Sequence, residues 1–290
     1  VITRYHIPST ERIPKIIERV LRLSTGDAEE VLENTLDDFS DRHKDLRQVL
    51  KRNFQEVSKF IGNGKQISTT KQLLIGAYFS MEYAVESAAL FNPSIVPDPD
   101  QTGVPERDLR FIMSLRATGE GHISSIVFRS GIIDGNNSIR VLPASEYVET
   151  PDVMVDSVYD RHLFRRKLRE MNVSEATTNY VFSQLAEAFT RRELMELLSK
   201  EKANVNRREI EIIIWLADSN YEIRFHDDHI LSERVIFPIS ENETSGIEDA
   251  RFVQFFEDNG ETSYYATYTA YNGVTILPQL IETKDFVKFN

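Results

Sequence analysis

Not one of the 290 residues is cysteine, which excludes disulfides, thiolate metal sites and a cysteine nucleophile. The N-terminal Val-Ile-Thr-Arg-Tyr-His carries no apolar core of a secretory signal. Both absences point to a reducing, cytoplasmic setting. No stretch approaches the roughly 18 uninterrupted apolar residues of a membrane span, so no membrane association is expected. Positive charge is also scarce, with 34 basic against 46 acidic residues and a net charge of −12. The densest basic runs, Arg165-Arg166-Lys167 and Arg207-Arg208, sit among acidic neighbours in helical patterns and read as solvated faces. Such a surface repels a phosphate backbone, and nucleic acid is not an expected partner.

Several chemical signatures are missing too. There is no Walker or Rossmann glycine loop and no Gly-x-Ser-x-Gly elbow. His226-Asp227-Asp228-His229 crowd one short loop, but adjacent residues rarely converge on one ion, and Asp98-Pro99-Asp100 reads as a turn. Neither a metal nor a cofactor is expected.

What is present falls into alternating helical and extended stretches. Ser9 and Thr10 before Glu11 and Pro14 suit a helix start that runs to about Ser24. From Asp27 to Ile61, Leu32, Leu36, Phe39, Leu46, Leu50, Phe54, Val57 and Ile61 recur at spacings of three and four, with one position skipped at His43. This pattern predicts one long amphipathic helix stopped by Gly62-Asn63-Gly64. Thr69 to Leu90 is expected to be helical again. The period changes at Phe91, where Pro93 and Pro97 break any helix. Phe111 to Arg116 and Ile123 to Ile133 predict strands, and the turn Asp134-Gly135-Asn136-Asn137 leads into Ser138 to Leu142.

Helical spacing returns over Tyr159 to Met171, Ser174 to Phe189, Arg191 to Lys202 and Arg207 to Leu216. Because strands resume afterwards at Tyr221 to Phe225 and Glu233 to Phe237, residues 151–217 read as a helical insertion. Three further strands, Ala250 to Glu257, Ser263 to Tyr271 and Val274 to Ile281, are joined by turns containing Asn-Gly. They predict an antiparallel meander, the unit of a propeller blade and equally of a sandwich.

The segment Gly246-Ile247-Glu248-Asp249-Ala250-Arg251 places two carboxylates and a guanidinium at the entry to a strand. Glycosidic cleavage needs an acid that protonates the leaving oxygen, held where its environment can be tuned. Strict alternation along the strand puts Asp249 and Arg251 on one face and Glu248 on the other. Glu120, between two glycines and beside His122, is a second candidate carboxylate, as a base or a sugar ligand.

These segments, with Tyr264-Tyr265-Ala266-Thr267-Tyr268-Thr269-Ala270 and Ile281-Glu282-Thr283-Lys284-Asp285-Phe286, resemble the five-bladed β-propeller glycosidases, and most closely glycoside hydrolase family 130. That family comprises β-mannoside phosphorylases and β-mannosidases. Its Gly-x-Glu-Asp-Pro-Arg segment carries the catalytic Asp, which matches Asp249; Ala250 stands here in place of the usual Pro. Phe91-Asn92-Pro93-Ser94 and Leu115-Arg116-Ala117 match the family's sugar-contacting Asn and Arg segments.

The resemblance implies an enzyme that cleaves β-linked manno-oligosaccharides with inversion. Asp249 would be the proton donor and Glu120 a second catalytic candidate. Asn92, Arg116, His122, Glu248, Arg251 and Tyr268 are the candidates for substrate contact. It leaves open whether water or inorganic phosphate, as co-substrate, attacks the anomeric carbon.

Residues 1–90 then form an N-terminal helical region, either for self-association into a homo-oligomer or for walling the cleft. Residues 91–290 supply two to three blades, fewer than a closed propeller needs, and the expectation is a longer natural protein. Two other readings compete: a non-catalytic carbohydrate-binding propeller and a helical scaffold for protein interactions.

Overall fold

A computed structural model describes residues 1–61, 66–154, 158–200 and 206–290; the Gly62-Asn63-Gly64 stop and the end of the helix at Lys202 lie outside them. The chain divides into two compact units. The first comprises Val1–Leu90, Ala117–His122 and Pro143–Glu149, and the second Phe91–Arg116, Ile123–Leu142 and Thr150–Asn290. Among the described residues no helix is long and apolar enough to cross a membrane.

The first unit begins with strand β1 (Ile2–Tyr5) and a 3-10 turn over Thr10–Arg12, followed by α1 (Ile13–Leu21), α2 (Thr25–Phe39), α3 (Leu46–Ser58) and α4 (Thr69–Tyr78). β2 (Ser80–Tyr83) then pairs antiparallel with β1. Side chains cap two of these helices: Ser24 Oγ accepts from Asp27 N at 3.1 Å and Ser68 Oγ from Lys71 N at 3.4 Å. The long helix read over residues 27–61 is two helices. The skipped position was the break: His43 is buried, and its Nε2 lies 2.9 Å from Glu82 Oε1, which also accepts from Arg42 Nε at 2.9 Å. The polar stretch 40–45 thus turns the chain rather than continuing the helix. Residues 80–83 are likewise extended rather than helical, because β1 offers them a full register of partners from Ile2↔Tyr83 to Tyr5↔Ser80.

Gly76 on α4 lets two helices meet at backbone distance. A Cβ there would stand 1.8 Å from the Leu50 carbonyl oxygen of α3. Around this crossing Ile13, Ile17, Val57, Leu74, Ile75 and Phe79 form one buried cluster, and Leu32, Leu36, Leu46, Leu50 and Leu73 another.

The second unit is built on β3 (Ala89–Pro97) from Phe91 onward, β4 (Leu109–Thr118) as far as Arg116, β5 (Ser124–Ile133), β6 (Ile139–Val141), β7 (Asp152–Met154) and β8 (Val158–Asp160). Next come α5 (Arg161–Glu170), α6 (Glu175–Phe182), β9 (Ala188–Thr190), α7 (Arg191–Lys200) and α8 (Arg207–Asp218). The chain ends with β10 (Glu222–Arg224), β11 (Val235–Ile236), β12 (Gly246–Phe256), β13 (Thr262–Tyr271), β14 (Ile276–Thr283) and β15 (Lys288–Phe289). The eight-stranded sheet runs β14-β13-β12-β5-β4-β3, with β11 and β6 also paired to β5. Its second half is an antiparallel meander, with left-handed Gly260 and Gly273 in the connecting turns.

This sheet is not flat. β12 and β3 are three steps apart in the order, about 14 Å at ordinary strand spacing. Yet Phe252 N on β12 donates to Ser94 Oγ on β3 at 3.0 Å. The two halves therefore fold toward each other, about a core of Val96, Ile112, Ile126 and Phe128 from one half and Ile247, Phe252, Tyr264, Ala266 and Ile281 from the other. A smaller sheet, β15-β10-β7, adds Ile223 and Phe289 to the same core.

Helices α5 to α8 have a core of their own. Tyr159, Phe164, Phe182 and Phe189 meet ring to ring, with centroids 5.4 to 5.7 Å apart. Leu168, Leu194 and Ile213 close it, all fully buried.

Candidate functional site

β12 opens on Gly246, at φ +144. Here a Cβ would meet Ser124 N at 2.9 Å and Ser124 Cβ at 3.1 Å, so only glycine fits this approach to β5. Gly246 and Ser124 are register partners in a parallel pairing. Two residues later the ladder slips: Glu248 faces Thr269 and Arg251 faces Thr267, leaving Asp249 and Ala250 together opposite Tyr268. This is a β-bulge, a device that re-aims a side chain. Asp249 takes φ +56, a left-handed conformation that Asp and Asn tolerate better than most residues. Ala250 is buried in the core, while the Asp249 side chain stays 39% exposed.

The bulge overturns the simple alternation. Glu248 and Arg251 share one face, since their partners Thr269 and Thr267 stand two apart on β13. Asp249 is the extra residue between them.

Two more of the sequence candidates, Asn92 and Arg116, reach it, and Arg251 braces the backbone beside Asn92. Asn92, itself left-handed at φ +53, donates from Nδ2 to Asp249 Oδ1 at 2.6 Å. Arg116, two residues before the end of β4, donates from Nη2 to Glu248 Oε1 at 2.5 Å and brings Nη1 to 3.7 Å from Asp249 Oδ1. Arg251 donates from Nη1 to the Pro93 carbonyl at 2.7 Å, clamping the backbone that carries Asn92. Both contacts fall on Oδ1 of this carboxyl, whose side chain is 39% exposed.

Glu120 and His122 belong to the first unit, whereas the hydrogen-bonded group around Asp249 lies wholly in the second. Glu120 is exposed, and Tyr83 Oη donates to its backbone carbonyl at 2.8 Å. Gly121 and His122 are consecutively left-handed, at φ +66 and +62.

Tyr268 faces the core. Its hydroxyl donates to Glu243 Oε1 at 2.6 Å, and Tyr221 Oη donates to the same carboxyl at 3.0 Å. The backbone N–H groups of Ile239 and Ser240 complete the set at 3.1 and 2.9 Å. Burial, with Glu243 alongside, pushes the Tyr268 hydroxyl well above its ordinary pKa; burial, then Tyr268 and Glu243, does the same to Tyr221. Tyr268 therefore holds the fold together. Tyr268→Phe is expected to cost about 2 kcal/mol in urea unfolding, the range for losing a buried hydrogen bond to a carboxyl group.

An open cleft of about 1170 Å³ lies between α5, α8 and β14. Of the sequence candidates only Tyr268 lines it. Among the described residues no group of three or more His, Asp or Glu side chains is arranged to hold a metal ion.

Sequence reasoning passed over two residues at the site. Phe91 lies under the Arg116 guanidinium at 5.0 Å, and buried Ser124 accepts from Arg116 Nε at 3.0 Å. Phe91 stood beside Asn92 in the segment already singled out. Ser124 stood in the run around Glu120, only eight positions from Arg116, but nothing in a buried serine on the next strand marked it as the arginine's partner.

Comparison of the chain with protein-family models, with curated proteins and with solved structures finds no match to any of them.

Proposed function

We propose that the protein is a glycosidase-type enzyme that cleaves β-linked manno-oligosaccharides with inversion, using Asp249 as proton donor. The observation that carries this reading is the convergence of Asn92, Arg116, Glu248 and Asp249, drawn from segments up to 157 positions apart, into two hydrogen-bonded pairs joined by the Arg116–Asp249 ion pair. Those residues stand in the motif positions through which the sequence resembles glycoside hydrolase family 130. The fold reading that accompanies it is part of a β-propeller, with the two antiparallel halves of the large sheet as blades.

In this mechanism Asp249 gives its proton from Oδ2 to the glycosidic oxygen. The bond from that oxygen to the anomeric carbon breaks, and its electron pair stays with the leaving sugar. An oxygen of the phosphate anion, or of a water that gives up a proton to solvent as it attacks, forms the new bond from the opposite face, which inverts the centre. Asn92 orients the acid through Oδ1 and keeps its own carbonyl oxygen for a sugar hydroxyl.

The test is to incubate the protein with β-1,4-linked mannobiose, with and without inorganic phosphate, and to identify the products. Mannose 1-phosphate formed only with phosphate means phosphorolysis, and free mannose in both means hydrolysis. No cleavage in either would rule the reading out for this substrate class.

A further inference from the structure

We infer that Glu248 and Ser124 act through Arg116, as positioning residues that fix its guanidinium beside Asp249, rather than by touching sugar. The inference rests on the reading of Arg116 and Asp249 as parts of the proposed site.

An arginine side chain has four rotatable bonds and a planar fork of five N–H donors. To be useful at a reacting centre it must be held by partners other than the substrate, so that no ordering is left to binding. Arg116 is held in this way. Nε donates to Ser124 Oγ at 3.0 Å, Nη2 donates to Glu248 Oε1 at 2.5 Å, and the Phe91 ring lies under the plane at 5.0 Å. Three supports fix a plane, and the remaining group, Nη1, is left pointing toward Asp249 Oδ1 at 3.7 Å.

The backbone builds the first two supports at one joint. Gly246 approaches Ser124 so closely that no side chain fits between them, and this contact sets the start of the bulge that carries Glu248. Ser124 is fully buried and cannot reach a ligand. Glu248 reaches Arg116 much more closely than Asp249 does, 2.5 against 3.7 Å, so the guanidinium is matched first by Glu248. Held there, it does not close onto the acid in a tight ion pair. This assigns Glu248 a place different from direct substrate contact.

Two measurements decide the matter. The first is a double-mutant cycle in kcat/KM on β-1,4-linked mannobiose. Glu248→Gln and Ser124→Ala are each expected to lower it about tenfold, and Arg116→Ala about a hundredfold. The double variant Glu248→Gln/Arg116→Ala is expected to be no worse than Arg116→Ala alone, since a residue acting through Arg116 has nothing left to position. Losses that multiply in the double variant would overturn the inference.

The second measurement needs no turnover. In ¹⁵N spectra the Arg116 Nε–H, assigned by its loss in Arg116→Lys, is expected to exchange with solvent at least about tenfold faster in Ser124→Ala than in the parent protein. An unchanged exchange rate would contradict the assignment of Ser124. A parent protein that cleaves no mannoside removes the proposed function, and the exchange rates still decide whether Ser124 holds the arginine.

Discussion

Asp249→Asn is expected to lower kcat on β-1,4-linked mannobiose about a thousandfold, within the usual contribution of a general acid. KM is expected to stay within a few-fold of the parent value. The substitution is nearly isosteric and keeps Oδ1, so Asn92 Nδ2 retains its acceptor. The left-handed backbone at this position suits Asn as well as Asp, and the bulge is therefore expected to survive. What disappears is the transferable proton on the other oxygen. Loss of an interaction made only in the transition state lowers kcat and kcat/KM together, and this pattern separates the acid from a residue that merely binds. Steady-state rates beside an unchanged melting temperature check the prediction.

The largest expected effect on stability lies in the first unit. Gly76→Ala adds one methyl group where the Leu50 carbonyl oxygen stands 1.8 Å from the ideal Cβ position, with the Leu50 carbonyl carbon at 2.7 Å and its Cα at 3.1 Å. All three are backbone atoms, so no rotamer change relieves the clash, and α3 and α4 must move apart. That separation opens the contacts of buried Leu50, Leu73, Leu74 and Val57. Overpacking of this kind costs about 3 kcal/mol or more. A fall of about 10 °C in melting temperature follows for a domain of this size. Gly26 has nothing within 4 Å of an added Cβ and no left-handed backbone. Gly26→Ala is the matched control, and its melting temperature is expected to change little or to rise.

Both predictions bear on how far residue pattern alone leads in this chain. The helices of the first unit were visible in their three-and-four spacing, but the break at His43 was not. A single skipped position looks the same whether a helix continues or turns. Only the buried His43, meeting Glu82 of a strand 39 positions later together with the more exposed Arg42, separates the two cases. The strand β2 was hidden for a related reason, since its partner β1 lies at the other end of the unit.

At the candidate site the residue identities were legible, because Asn92, Arg116, Glu248, Asp249 and Arg251 stand in short motifs. Their geometry was not. Alternation is a rule for regular strands, and the bulge at Asp249 suspends it at the one residue whose direction matters most. Tyr268 shows the converse. It sits in a motif-bearing run, yet the regular alternation of β13 buries it with Tyr264, Ala266 and Ala270, where it serves Glu243. Ser124 belongs to neither case: it lies only eight positions from Arg116, yet a serine on the next strand shows its partner only once β4 and β5 lie side by side.

The central claim is that a single acid, Asp249, protonates a β-mannosidic oxygen while an external nucleophile attacks from the opposite face. The most direct test is the anomeric configuration of the first-formed product, followed by ¹H NMR from the moment β-1,4-linked mannobiose is added with phosphate present. Inversion predicts the α anomer first, as α-mannose 1-phosphate or as free α-mannose before mutarotation. A β-configured first product, or mannobiose that remains intact, would contradict the account.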